Sequence, residues 1–282
     1  MNPERLLELY FDEDCPYFDE TTELLKIRGA GNMKIISRES GIVACTEELS
    51  DFLLKEGLKV RFLPSGSHFK AGDTILAAEG ELRTLFRAWR VSQTFLSITC
   101  AIATETERLV KLARRANPTA VIATTRKPHP GMRYFELKAV RIGGGEVHRN
   151  SLSDSILITQ NHLRVVGELK NLRALKKIEL EPRNIEEAVE YAKKANLLLL
   201  DHFPLSELRE LVPRLRELNP SLEIAVAGNI TAENIGEYAK TADVIITSAP
   251  YYARPLDLTT RIERKLNENP TSLAIIPAQS IP

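Results

Sequence analysis

At 282 residues the chain is long enough for two domains, or for one barrel with additions. Its 43% apolar content lies in the globular range, and 38 basic side chains balance 38 acidic ones, so no basic excess points to nucleic acid as a partner. No apolar run approaches the roughly 20 residues of a membrane helix, so a membrane is not an expected partner either.

From the N-terminus, MNPERLLELYFDEDC is acidic and mixed, unlike a secretory signal, and its ERLLELYF portion reads as a helix. MKIISR, GIVACT, KVRFLPSG and TILAAEG read as strands. They are separated by GAGN, TEELSDFLLKEG and the turn-rich SGSHFKAGD, which makes an α+β layer. Cys15, Cys45 and Cys100 have neither disulfide nor metal-site spacing. Cys45 and Cys100 sit in apolar stretches, as buried thiols do, so a reducing and hence cytoplasmic setting is expected. From Glu81 to about Ala116 the pattern turns helical. Leu82, Leu85, Phe86, Trp89, Phe95 and Leu96 recur at helical spacing, followed by Ile102, Leu109 and Leu112.

After Pro118 the rhythm changes. Apolar strands are predicted over 120–124, 155–159, 177–181, 197–201, 223–228 and 243–248, alternating with amphipathic segments such as NIEEAVEYAKKA, LSELRELVPRLRELN and TAENIGEYAK. Short, fully apolar strands between helices indicate parallel β-structure buried on both faces. Six strands fall short of the eight of a complete barrel, leaving an open doubly wound sheet or an incomplete barrel. The strands end in polar, charged or glycine residues: Thr124-Thr125-Arg126-Lys127, Thr159, Glu181, Asp201, Gly228-Asn229 and Thr247-Ser248. Ligands bind at that edge of parallel α/β folds.

The segment TTRKPHPGMRYFELKAVRIGGGEVHRN (124–150) is densest in chemistry. Arg126 offers a planar fork to carboxylate or phosphate, and Lys127 a point charge. Pro128 and Pro130 stiffen their loop, and Gly131 opens onto a further helix. Gly143-Gly144-Gly145 is either the C-cap and turn of that helix or a mobile loop that lets backbone approach a ligand. His148-Arg149, directly after it, is placed to serve a site. Glu181 and Asp201 either face one pocket, where they could share a divalent cation or stabilise developing positive charge, or cap the helices that follow. Gly228-Asn229 and Thr247-Ser248 occupy the last two strand ends, the usual phosphate-binding corner of barrels.

In this order, TTRKPHPGMR, RIGGGEVHR, NHL (161–163), IELE, LLLLD and AGNIT resemble the quinolinate phosphoribosyltransferase (nicotinate-nucleotide pyrophosphorylase) family. YFDEDCPYFDETT, HFKAGDTILAAEG and RAWRVSQTFLSITCAIATET extend the resemblance over most of the chain. It implies an incomplete (open) α/β barrel with an N-terminal α+β sandwich domain. Residues 1–104 would form the first domain, 105–261 the barrel, and a tail of about 262–282 would pack on the first. It further implies transfer of phosphoribose from phosphoribosyl pyrophosphate with Mg²⁺, in homodimers or dimer-built hexamers whose sites are completed by the partner subunit. By the resemblance, Arg126, Lys127, His148 and Arg149 hold the acceptor's carboxylates and the phosphates. Lys127 is counted with Glu181 and Asp201 as catalytic, the latter two lying near ribose and metal, and Arg90 is supplied by the neighbouring subunit.

There are departures. Where quinolinate enzymes read I-K-D-N-H, this chain has Ile158-Thr159-Gln160-Asn161-His162, and Ala227-Gly228-Asn229 replaces an S-G-G turn. With TSAPYYARPLD, these features resemble the ModD branch, paralogues associated with molybdenum-transport operons. Leaving one carboxylate of a dianionic acceptor underpaired at Thr159 costs roughly 3–5 kcal/mol. The leading expectation is therefore transfer to an acidic heteroaromatic acceptor. Its alternatives are a binding or regulatory module of the molybdenum system and a barrel enzyme using Lys127 as a Schiff-base nucleophile.

Overall fold

A computed structural model of the chain describes residues 2–169 and 174–265. Helix α1 (Pro3–Asp14) starts where the Asn2 side chain accepts from the Glu4 amide and Pro3 occupies the first turn; α2 (Glu20–Leu24) is capped likewise by Asp19. Then follow β1 (Ala30–Ser37), β2 (Gly41–Ile42), α3 (Thr46–Lys55), β3 (Lys59–Phe62), β4 (His68–Phe69) and β5 (Thr74–Glu81). The predicted strand GIVACT is cut to its first two residues. Cys45 takes a left-handed φ of 63° and turns the chain into α3, so Val43 and Ala44 are buried without a continuing ladder.

Strand β1 alternates faces. Met33, Ile35 and Ser37 are buried while Lys34 is exposed, so one face of the sheet in which β1, β5 and β3 pair in that order lies on the helices and the other stays polar. Strand β13 (Leu258–Arg264) comes from the far end of the chain and pairs antiparallel with β1, Gly31 opposite Arg264. The return to this sheet thus begins before the expected tail at 262, of which residues 266–282 lie outside the described residues.

Helix α4 (Leu82–Ala116) is a single run of 35 residues, about 50 Å long at 1.5 Å per residue. Leu85, Phe95 and Leu96 belong to the core of the first sheet, and Leu109, Val110 and Ala113 to the core of the second. The boundary expected at 104–105 falls inside it, so one rigid element carries both packings.

The second sheet contains β6 (Val121–Thr124), β7 (Glu146–Val147), β8 (Ile156–Ile158), β9 (Ile178–Leu180), β10 (Leu197–Asp201), β11 (Glu223–Ala227) and β12 (Val244–Thr247). Its helices are α5 (Arg133–Ile142), α6 (Gln160–Val166), α7 (Ile185–Tyr191), α8 (Leu205–Leu218) and α9 (Ile235–Ala239). All strands are parallel, in the order β7-β6-β12-β11-β10-β9-β8. First and last strands, β6 and β12, pair, so the sheet curls into a barrel that is open only between the sequence neighbours β7 and β8. Strand alternation builds two layers. Leu198, Leu200, Ile224, Val226 and Ile245 face Leu208, Leu211 and Leu215 of α8 and the rest of the outer core. Ala123, Leu199, Ala225, Ala227 and Ile246 fill the barrel interior with Leu157 and Leu197. Six strands are predicted and seven formed; the seventh, β7, has two residues. No helix among the described residues is long and apolar enough to cross a membrane.

Candidate active site

Every predicted strand end lies at the C-terminal edge of this sheet, and the register sets neighbours side by side: Val147 beside Thr124, Thr247 beside Thr124, and Ala227 beside Asp201. The loop after β6 is rooted in the interior. The buried Tyr251 hydroxyl donates to Thr124 Oγ1 at 2.7 Å, and Thr125 Oγ1 lies 2.7 Å from Ser248 Oγ. Arg126 and Lys127 project from it into solvent, and neither is in an ion pair among the described residues.

Beside them stand His148 and Arg149, immediately after β7, the strand that pairs with β6. Gly143 is the C-cap of α5, with its N–H on the Ala139 carbonyl, so the triple glycine serves as helix stop and tight turn. His148 Nε2 lies 2.7 Å from both carboxylate oxygens of Glu179. Glu179 pairs in register with Leu157 and Leu197, both members of the interior layer, so its carboxylate is an inward-facing charge, 6% exposed. It is a residue the sequence reading misses. Its signal was the period of two in KIELE, which puts Glu179 on the same face as Glu181. Arg149 is also buried at 9% exposure. Burial, then the like charge of Arg126, hold its guanidinium below the usual arginine range, and Glu179 opposes them. Arg126, Arg149, His148 and Glu179 therefore form one electrostatic group.

Glu181 directly follows β9 and Asp201 ends β10, and these strands are adjacent. Neither caps the helix that follows: α7 is capped by Asn184, and Pro204 occupies the N-cap of α8. The capping alternative is thereby removed, and the two carboxylates lie close enough for the charge of one to act on the other. Burial, then the Asp201 charge, push the Glu181 carboxyl above the usual range; Glu179 adds to this, while a Gln160 backbone bond and His162 oppose it. Two repelling carboxylates are hard oxygen donors of the kind Mg²⁺ takes. Among the described residues no group of three or more His, Cys, Asp or Glu side chains could hold a metal, so a cation here would complete its shell with substrate oxygens and water.

At the next corner, His202, Gly228 and Asn229 all have positive φ, at 61°, 92° and 51°. A Cβ on Gly228 would stand 2.7 Å from the His202 backbone nitrogen, so only glycine permits these two strand ends to approach so closely. Asn229 is exposed and Ser248 half-buried. Thr247 is buried, its hydroxyl accepting from the Ala249 amide and lying 3.4 Å from the Ile230 carbonyl, so it shapes the corner from below.

Two predicted residues have other surroundings. Thr159 caps α6, its amide donating to His162 Nδ1 at 3.0 Å and its hydroxyl 2.9 Å from the same nitrogen. Arg90 is exposed on α4, its guanidinium 3.9 Å over the Trp89 ring. It lines a groove of about 360 Å³ with Tyr10, Phe95, Ile98 and Met132.

Comparison with known proteins matches residues 19–100 to "Quinolinate phosphoribosyl transferase, N-terminal domain" and 102–261 to "Quinolinate phosphoribosyl transferase, C-terminal domain". A probable nicotinate-nucleotide pyrophosphorylase [carboxylating] of Archaeoglobus fulgidus is 34% identical over 79% of this chain and 88% of its own length. A putative pyrophosphorylase ModD of Pasteurella multocida is 31% identical over 92% and 97%. Among solved structures, the nicotinate-nucleotide pyrophosphorylase of Francisella tularensis superposes with a TM-score of 0.84 at 27% identity, covering 93% of this chain and 96% of that one. NadC of Streptococcus pyogenes, at 24% identity and a TM-score of 0.83 over 94% and 100%, shares the fold.

Proposed function

The chain belongs to the quinolinate phosphoribosyl transferase family, and from that premise we propose that it transfers phosphoribose from phosphoribosyl pyrophosphate to an acidic heteroaromatic acceptor. The observation that carries this reading is the placement, at one edge of the barrel sheet, of the cations Arg126, Lys127 and Arg149 after β6 and β7 and of the mutually repelling carboxylates Glu181 and Asp201 at β9 and β10. Pyrophosphate and acceptor carboxylates are anionic, and the cations attract and orient them. The ribose becomes oxocarbenium-like as its bond to pyrophosphate breaks, and carboxylates beside the anomeric carbon stabilise that charge more than the ground state. The acceptor's ring nitrogen then supplies the electron pair of the new bond, and pyrophosphate leaves with the old one. Mg²⁺ held by Glu181 and Asp201 would neutralise phosphate charge. The turn at Gly228-Asn229 with Ser248 offers backbone N–H groups and a hydroxyl to the 5′-phosphate.

His148 is paired to Glu179, so its part in acceptor recognition is shared with Arg149. Thr159 leaves the mouth one cation poorer than a dianionic acceptor requires, which favours a ModD-type acceptor over quinolinate. A binding module of the molybdenum system has no use for two repelling carboxylates, and this disfavours that alternative. Lys127 is exposed rather than enclosed in the apolar pocket that activates a Schiff-base lysine. The protein is expected to act in the cytoplasm as a homodimer or dimer-built hexamer, with Arg90 reaching a partner's mouth. An acceptor screen with phosphoribosyl pyrophosphate, Mg²⁺ and pyrophosphate detection tests the reading. Acceptor-dependent release supports it, and no release with any acidic heteroaromatic, quinolinate and nicotinate included, contradicts it.

A further inference from the structure

Arg126 and Lys127 run directly into Pro128-His129-Pro130, and proline has no backbone N–H, so His129 supplies the single amide donor of that tripeptide. This donor goes to Glu136 Oε2 at 2.9 Å, and the His129 ring Nδ1 lies 2.7 Å from Glu136 Oε1. Glu136 sits on α5 with no exposed surface, whereas the His129 side chain is about half exposed. A fully buried carboxylate persists only if it is paired and hydrogen-bonded. Among the described residues, His129 is its one ion-pair partner.

The same loop is tied at both ends. The Tyr251 hydroxyl reaches Thr124 Oγ1 and, at 3.2 Å, the Thr125 carbonyl; the Tyr10 hydroxyl, from the N-terminal domain, donates to the Gly131 carbonyl at 2.7 Å. Burial and then the Glu136 charge push up the pKa of the Tyr10 hydroxyl. The same two causes raise that of Tyr251, against its bond to Thr124. Glu136 thus lies close to both anchors, and its two oxygens hold the middle of the loop. Enclosed as it is, it meets no ligand.

We propose that Glu136, acting through His129, is the positioning residue of the Arg126–Lys127 anion clamp. Two prolines remove the loop's own conformational freedom, and the buried carboxylate selects one placement of the rigid piece that remains. Without that contact the two cations keep their charge but lose their fixed separation from Arg149 and from the phosphate corner. The result is weaker binding of a phosphorylated ligand in a chain that is still folded. This inference rests on the anion-clamp reading of the preceding subsection.

The test uses the full chain, Mg²⁺–phosphoribosyl pyrophosphate as the probe in equilibrium calorimetry, and a thermal melt of each variant. Glu136→Ala should weaken binding about tenfold, while Glu136→Gln, which keeps the volume and one acceptor for the His129 amide, should recover most of it. His129→Ala removes the ring partner of the buried carboxylate but leaves the backbone amide bond to it, so Tm should fall while the chain stays folded, and binding should weaken about threefold or more. In a Lys127→Ala background the Glu136→Ala loss should shrink to about twofold or less, because both act through one loop. Wild-type binding in folded His129→Ala and Glu136→Ala chains, or losses that multiply independently in the double variant, would reduce the pair to a fold-stabilising contact and overturn the inference. If Lys127→Ala itself binds normally, the clamp reading beneath it falls as well.

Discussion

Glu181 is the residue at which stability and activity are set against each other. Its carboxyl is held above the usual range by burial and by Asp201, so ionising it destabilises the folded chain. Below the ordinary carboxylate pKa the penalty is absent. As pH rises through that value and then through the raised folded one, the native state loses stability. Glu181→Gln should therefore raise Tm by about 1–4 °C at pH 8, with the gap closing below about pH 4, while abolishing most turnover. A lowered Tm at pH 8 in calorimetric melts would contradict this sign. At Thr159 the question is charge. Thr159→Lys should tighten quinolinate binding about tenfold or more if the missing cation is what limits it. Unchanged affinity in a titration would mean that pocket shape decides. The sequence displayed the charges of Arg126, Lys127, Glu181 and Asp201 because strand ends are legible from apolar runs. Glu179 was hidden, because a buried carboxylate inside an apolar strand is interpretable only once its partner across the barrel opening, His148, is known.

Elements were legible where their periodicity was long and illegible where tertiary packing overrode it. Helix α4 could be read across its length from its apolar spacing. Strand β7 could not: two residues following a triple glycine have no period, and they form a strand only because β6 offers an edge. GIVACT has strand composition, yet the left-handed Cys45 ends it, an event its local sequence does not announce. The turn between β11 and α9 is set by contact with the turn after β10. Gly228→Ala would combine a positive φ with a Cβ 2.7 Å from His202, costing about 1–3 kcal/mol. Melting should fall by several degrees and turnover with it, since His202 adjoins Asp201. A variant with wild-type Tm and rate would show that this close approach is relaxed in solution.

At the scale of the whole molecule, the barrel is closed by β12 on β6 and left open between β7 and β8, and the His148–Glu179 contact spans that opening. Arg90 lies in a groove beside α1, and among the described residues none of Arg126, Lys127, Glu181 or Asp201 lines that groove with it. If it completes a partner's site across a two-fold axis, Arg90→Ala mixed with Lys127→Ala should regain partial activity, because each heterodimer then has one intact site. Subunit exchange, confirmed with differently tagged chains, without recovered activity would remove Arg90 from the site. The account stands most directly on the transfer step itself. In a single-turnover measurement of pyrophosphate release from Mg²⁺–phosphoribosyl pyrophosphate with an accepted heteroaromatic acid, the wild type should release one equivalent. Glu181→Gln and Asp201→Asn should each be slowed by about a hundredfold or more, with binding of phosphoribosyl pyrophosphate preserved in at least one of them. Wild-type rates in both variants would contradict the account.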